Sequence, residues 1–462
     1  MLERRRRQYH AAAARGLEEL YAGRIDDVVE LIAYHFGRST ETEKAVDYAI
    51  LAAERAHRRW ATTEALAFFE DALKRLETMP DQEANRLRRI DAVVKQAEIK
   101  FALGRHAEQV QALEGIKYVV EAVADSPRRA AWYSWAGFLH HMTGAPLEVS
   151  IAYCRRAAEI ADAAGLTELR AFAECSLTHV FMVAGTLEDA VKVGESALGV
   201  FEARGNVWWA CRTLWGLSGA TNLAGQWRES LEYCQRALEH GQAVDDLRLK
   251  AVGWWRTALT NVERGDGEGG LRCCEEALAL SPIPFDLAMT RAVRGYGRVK
   301  AGDTRGGMAE LQEALEWLER SHLRYQRARF ALWLADGHLR DGEPLRARSV
   351  IEEVLVISRD FGYRRVEGEA ERLLGESLIS EDPTAAADHF ATAVRILEKV
   401  GARNELAKAL AARGGLQGAA GDVISARKLL ESALAIFEEL GTLDEPPRVR
   451  AALAALASTP TG

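Results

Sequence analysis

Four groups of side chains have the types and spacing that chemistry needs. They are the run Arg4-Arg5-Arg6-Arg7, the pair His140-His141, the pair Cys273-Cys274, and eleven tryptophans that include the adjacent pairs Trp208-Trp209 and Trp254-Trp255. Contiguous arginines hold phosphates, imidazoles ligate metals, vicinal thiols cycle redox state, and exposed indoles recognise peptides or rings. Acidic residues outnumber basic ones and the net charge is −8, so nucleic acid is not the expected partner, because phosphate binding needs a basic surface. The arginine run opens a helical pattern and reads as its solvated start, with a domain-junction role ahead of DNA contact. Adjacent histidines on a helix point about 100° apart and have no carboxylate or thiol at ligand spacing, so no metal site is expected. Neither a G-x-S-x-G nucleophile motif nor a Gly-Lys dipeptide occurs, which removes the nucleophile elbow and the phosphate loop. No catalytic residue, metal or cofactor is expected, and the chain does not read as an enzyme.

The cysteines point to what positions everything else. Cys154, Cys234 and Cys274 each stand four places after a small residue (Ser150, Ser230, Gly270), a shared register that marks packing rather than redox chemistry. The same small residue recurs as Ala65, Ala107, Ala190, Gly307, Ala347, Ala386 and Ala426, at intervals of about 40 residues. An apolar or small residue follows four places on, and usually alanine seven places on, all on one helical face. A glycine precedes six of these anchors by five residues (Gly185, Gly225, Gly265, Gly302, Gly342, Gly421), where a helix ends and the chain reverses. Each unit is therefore a helical hairpin. Neither helix buries its stripe alone, so the hairpins stack into one continuous core.

A small–large–Ala helix following a Gly turn resembles the tetratricopeptide repeat (TPR). The resemblance implies an all-α, right-handed TPR-like superhelical solenoid, here of about eleven helical hairpins, with Pro282 at a helix stop. The period departs from the usual 34 residues, and the family's aromatic and Leu-Gly signature of the first helix is mostly missing. Lengthened repeats of this kind resemble the C-terminal arms of bacterial signalling ATPases. The stretches RRRRQYHAAAARGLEELY at 4–21, VVELIAYHF at 28–36 and EKAVDYAILAAERA at 43–56 resemble the junction after the ATPase module of adenylate/guanylate cyclase or LuxR-type regulators. The expected division is 1–42 as junction helices forming the first hairpin, 43–440 as the repeat solenoid, and 441–462 as a capping helix and tail. Without a phosphate loop, the chain reads as the arm without its engine.

In the TPR family the first helix of each hairpin lines the concave face where ligands bind, which makes slots countable back from each anchor. Fifteen places before stand Trp135, Trp215 and Trp255. Eighteen before stand Trp132, Phe172 and Arg212, and eleven before stand His179 and, in a later unit, Tyr296. These eight residues form the candidate groove, suited to an amphipathic helix or apolar peptide. The Lys/Asn clamp by which family members grip a C-terminal carboxylate is missing, which argues against chaperone tails. A competing reading holds that the repeats coil tightly enough for the inner faces to touch, making the same residues core. Within the second tryptophan pair, the register assigns Trp254 to packing and Trp255 to the groove.

The expected function is protein–protein interaction or ligand sensing, as the regulatory arm of a signalling ATPase or cyclase. The alternative is a stand-alone peptide or small-molecule receptor. The expected partner is a protein or peptide, such as an ATPase or cyclase module, with neither nucleic acid nor membrane; no apolar run reaches membrane-span length, and the chain reads as cytoplasmic.

Overall fold

The computed structural model describes residues 2–59, 61–280 and 283–457; Pro282, expected to stop a helix, lies outside them, as do the last five residues of the tail. Among the described residues there are twenty-five α-helices, one short 3-10 turn and no strand. The helices pair as eleven hairpins, from Leu2–Leu20 with Val29–Phe36 to Arg403–Ala419 with Val423–Leu440, and Glu445–Ala457 packs on the last. The architecture is an all-α TPR-like solenoid.

The two helices of a hairpin differ in how much of their circumference is covered. The second helix Trp227–Ala243 buries one stripe: Trp227, Ser230, Cys234, Ala237, Leu238 and Gly241. Its predecessor Val207–Ala224 buries every residue from Ala210 to Leu223. A helix covered all round lies inside, so the first helices line the axis of the coil and the second helices face outward. The inner helices used below are Ser126–Thr143, Thr167–Ala184, Val207–Ala224, Leu247–Arg264, Pro284–Lys300, Arg324–Arg340, Arg364–Leu378 and Arg403–Ala419.

Anchor residues explain the close pairing. Ser150, Ala190, Ser230, Ala347, Ala386 and Ala426 are fully buried. At Gly295 an added Cβ would stand 2.8 Å from the backbone oxygen of Gly307, the anchor on the partner helix. Backbone meets backbone there, so the pair has no room for a side chain. The third unit departs from the repeat. Its first helix breaks into Glu83–Lys95 and Ala97–Ala102, a short helix Lys117–Glu121 is added, and the fully buried position is His106 rather than the expected anchor Ala107, which is only half-buried.

The solenoid closes on itself. The Trp227 indole donates to Thr442 Oγ1 at 3.1 Å across 215 residues of sequence, so one superhelical turn takes about five units of the 40-residue repeat. The next turn sits directly on it. The backbone N–H of Leu443 donates to the Arg264 carbonyl at 2.8 Å, Lys300 pairs with Asp444 at 2.7 Å, and Arg324 donates to the Gly144 carbonyl. These contacts converge on the turn glycines. Gly225 has φ +83°, and a Cβ there would come within 2.9 Å of Leu440; Gly185 is covered by Val400 and Gly104 by the Trp317 ring.

Gly307→Ala is expected to force the Pro284–Lys300 and Thr304–Arg320 helices apart and to destabilise by about 1–3 kcal/mol. Gly199→Ala, on an exposed helical position with nothing within 4 Å of the added methyl, should instead stabilise by about 0.5–1 kcal/mol. Urea denaturation of the two variants beside wild type measures both.

Candidate functional site on the inner face of the coil

All eight residues of the expected groove are buried: Trp132, Trp135, Phe172, His179, Arg212, Trp215, Trp255 and Tyr296 are each 8% exposed or less. The stripe is a core layer, not an open groove. Turn-on-turn closure brings opposite walls of the axis into contact: Phe101, from the broken third unit, packs on Phe285 with ring centres 5.2 Å apart. The assignment within the second tryptophan pair is also reversed, with Trp255 sealed and Trp254 half-buried against the core.

The eight residues take different partners within the core. Trp135, Phe172, His179 and Arg212 converge. The Arg212 guanidinium stands 4.4 Å from the Phe138 ring centre, 4.9 Å from those of Trp135 and Phe101, and 5.2 Å from that of Trp209. Phe172 packs on Trp209 and Trp135, and His179 lies edge-on to Phe138 while its Nε2 reaches the Arg212 carbonyl at 3.3 Å. Trp132 is elsewhere, donating to the Leu113 carbonyl at 3.1 Å. Tyr296 stacks on Trp333 with parallel rings 4.7 Å apart and donates to Asp336.

Among the described residues, Arg212 forms no ion pair with a carboxylate, and its Nη1 is buried without a hydrogen-bond partner. Each cation–π contact contributes about 0.5–2 kcal/mol, against a burial penalty of several kcal/mol for an ion. Burial lowers its pKa only to about 10, so the group remains a cation at neutral pH. The imidazoles around it respond in the opposite sense. Burial first, and the Arg212 charge in addition, lowers His106 to about 4 and His141 to about 3, and holds His179 well below its ordinary value. The two neighbours His140 and His141 point apart as helix geometry requires, with His140 on Glu114 at 2.8 Å and His141 sealed. Cys273 and Cys274 also diverge in burial, and burial raises both thiols.

Toward the C-terminal end the inner face changes character. Arg329 donates to both carboxylate oxygens of Glu263, at 2.8 and 2.9 Å, and to Asn222 at 3.1 Å, joining the inner helices Val207–Ala224, Leu247–Arg264 and Arg324–Arg340. Beyond it Arg365 pairs with Glu369, Arg372 with Glu376 and Glu405, and Lys408 with Glu405. This ladder was not read from the sequence, although a signal existed: the slot eighteen before the anchor that holds Arg212 also holds Arg329 and Lys408. The ladder borders a cavity of about 660 Å³ between the inner helices from Arg324 onward and the last helix. Arg340, Arg372 and Lys408 stand along it with Asp336, Glu376 and Glu445, over a floor that includes Ala411, Ala412, Gly415 and Leu416.

This path of paired helices has counterparts among solved structures. The fold is shared with NprR. The structure of NprR in complex with its cognate peptide NprX matches with a TM-score of 0.55 at 10% identity, over 76% of this chain and 99% of that one. A Rap protein complexed with competence and sporulation factor matches at 12% identity and TM-score 0.45, over 86% and 99% of the two chains. The apo form of RapI matches at 13% and 0.44, over 59% and 98%. No family model matches the sequence, and no curated protein does. Similarity at this level concerns the TPR-like path of the chain.

Two expectations follow from the buried charges. Arg329→Met leaves the Glu263 carboxylate buried without its bidentate partner and should cost about 3–5 kcal/mol, most of it recovered in the Arg329→Met/Glu263→Gln double variant; urea melts of the cycle test this. The unfolded imidazoles take up protons below about pH 6.5 while His106, His141 and His179 stay neutral in the fold. Stability is therefore fully present above that pH and drains as pH falls toward the folded values, by about 1.4 kcal/mol per pH unit for each imidazole. Urea melts at pH 7, 6 and 5 should give a slope that His141→Gln makes shallower.

Proposed function

We propose that this chain is a non-catalytic scaffold that binds a protein or peptide segment in the open C-terminal pocket of its inner face, and that it serves as the regulatory arm of a signalling ATPase or cyclase. The observation that carries the reading is the 660 Å³ cavity itself. Its volume falls in the range that buries a ligand. It lies on the inner-helix face, and its floor of alanine and glycine leaves room for an incoming helix or strand. The flanking charges are paired within the protein, Asp336 with Arg340 and Arg372 with Glu376, so they can orient a polar segment at modest desolvation cost. The fold shared with NprR, whose structure holds a peptide, supports the same reading.

Signal transfer follows from what forms the pocket wall. Glu445, Arg448, Val449 and Ala452 belong to the last helix, and the segment leading into it, Thr442 to Asp444, makes the contacts to Trp227, Arg264 and Lys300 that hold the two superhelical turns together. An occupant that moves the last helix pulls on these contacts and alters the pitch of the coil. The resemblance of the stretches 4–21, 28–36 and 43–56 to an ATPase junction supports the regulatory-arm role. So does the first hairpin's outer face, which leaves Tyr9, Leu20, Leu31 and Tyr34 exposed. The stand-alone receptor reading uses the same pocket and differs only in lacking an effector module.

Ala412→Trp should fill the pocket from its floor. Peptides selected by phage display on the wild-type chain are expected to bind this variant at least tenfold more weakly, about 1.4 kcal/mol, with far-ultraviolet circular dichroism unchanged. Equal binding by the variant, or no peptide enriched above background, would refute the proposal.

A further inference from the structure

The first two hairpins leave an open cleft between them, far along the chain from the C-terminal pocket. It holds about 680 Å³ between Val29–Phe36 and Thr62–Leu76. Both helices pack on Thr42–Arg58, whose Ala49 reaches the floor. The residues that meet the cleft from either side are short: Ala33 and Gly37 on one, Ala67 on the other. Ala33 and Ala49 are buried, whereas Tyr34 at the rim is 48% exposed and Phe68 on the facing helix is half-buried.

The charges of the cleft are sorted by end. Glu30 accepts from Arg55 and, at 3.0 Å, from Arg59, which also stands 4.0 Å from Glu64, so the two carboxylates share one end. At the other end Arg75 donates to both oxygens of Asp71 and to the Gly37 carbonyl at 3.1 Å. Each carboxylate of the lining thus has an arginine, and Arg38 is the charge left over. Arg38 forms no ion pair among the described residues and lies with its guanidinium 3.7 Å from the centre of the Tyr34 ring. The first helix adds to the same end. His10 Nδ1 is 3.0 Å from His35 Nδ1 across an antiparallel hairpin, so the residues before His10 lie toward Arg38. Among them Arg4, Arg5 and Arg6 are exposed and form no ion pair among the described residues, while Arg7 meets Glu3 at 3.6 Å.

A guanidinium laid on an aromatic ring is oriented before a carboxylate arrives, and Tyr and Arg at the edge of an apolar hollow are the side chains that anchor interfaces. From Glu64 to Arg75 the lining runs eleven places, about 16 Å or three helical turns. Its walls are helices whose backbone groups are already bonded, so an extended chain would find no main-chain partners there. A helix brings its own. Nucleic acid would carry phosphates past Glu30, Glu64 and Asp71, whereas a helix can place its carboxylates at one end only. We propose that this cleft docks an amphipathic helix of a partner protein, with its apolar ridge between Tyr34 and Phe68 and carboxylates at one end facing Arg38 and the run Arg4 to Arg6. The proposal deepens the regulatory-arm reading and rests on it for the partner; the C-terminal pocket plays no part in it.

The test is selection from a phage library of surface-randomised single helices on the full chain carrying Ala412→Trp, which closes the C-terminal pocket. Counter-selection uses the Ala412→Trp/Ala67→Trp chain, whose second indole fills the cleft. Expected are helices with an apolar stripe and Asp or Glu gathered at one end. As synthetic peptides in fluorescence anisotropy they should bind wild type and Ala412→Trp alike, and bind Ala67→Trp, Tyr34→Ala and Arg38→Glu about tenfold more weakly or worse. Arg38→Lys should restore part of what Arg38→Glu loses. Ala67, Tyr34 and Arg38 are all exposed, so these variants should keep the wild-type Tm. The proposal is overturned by no helix enriched over the counter-selection, by enriched helices with basic ends, or by equal binding to Arg38→Glu. It is also overturned if a short DNA duplex displaces the helices at equal concentration, or if light scattering finds a dimer that Ala67→Trp dissolves, which would put a second copy in the cleft. Helices that bind here while an ATPase module does not associate leave the cleft standing and remove the regulatory arm.

Discussion

The structure depends on a steric permission: hairpin turns that carry no side chain. At Gly185, Gly225 and Gly265 the chain reverses with positive φ, and the missing Cβ is the space that Val400, Leu440 and Asp444 of the next superhelical turn occupy. A turn made with any L-residue pays backbone strain for its conformation and props the turns apart by the width of a side chain. With glycine there the coil has no axial gap, and the walls of its axis meet.

That contact decides the chemistry of the interior. Inner helices of an open solenoid show one face to solvent, and their aromatic and charged residues are then available. Here Val207–Ala224 is covered for three turns without interruption, which converts its tryptophans to packing and makes any polar group on it expensive unless matched. The interior answers in two ways along its length. Around Glu263, Arg329, Arg365 and Glu405 each charge meets an opposite one. Around Arg212 the cation is packed against ring faces, and burial first, with the Arg212 charge in addition, keeps the imidazoles beside it neutral.

The contrast between the two ends also separates rigidity from openness. Aromatic side chains fill the first turn, whereas the inner helix Arg403–Ala419 offers Ala411, Ala412 and Gly415, too short to reach across. A cavity persists there beside a helix whose lead-in segment carries the turn-on-turn contacts. This place with room for an occupant is thus tied covalently to the contacts that set the pitch.

Much of this was legible in the residues alone. The 40-residue recurrence of small anchors, usually with an apolar or small residue four places on and alanine seven on, determined the hairpins, their number and which face of each second helix is buried, because helical periodicity and close approach are local properties. The six turn glycines announced where the chain reverses for the same reason. The third unit escaped, since nothing in its alanine at 107 reveals that His106 takes the buried place. What the sequence could not decide is whether Trp135, Arg212 and Trp255 face a groove or a core. That depends on the separation between residues some 215 places apart, such as Trp227 and Thr442, and such a distance is set by the accumulated rotation of five hairpins rather than by any one of them. Only the tertiary structure closes the coil, and closure turns an aromatic stripe into a sealed interior.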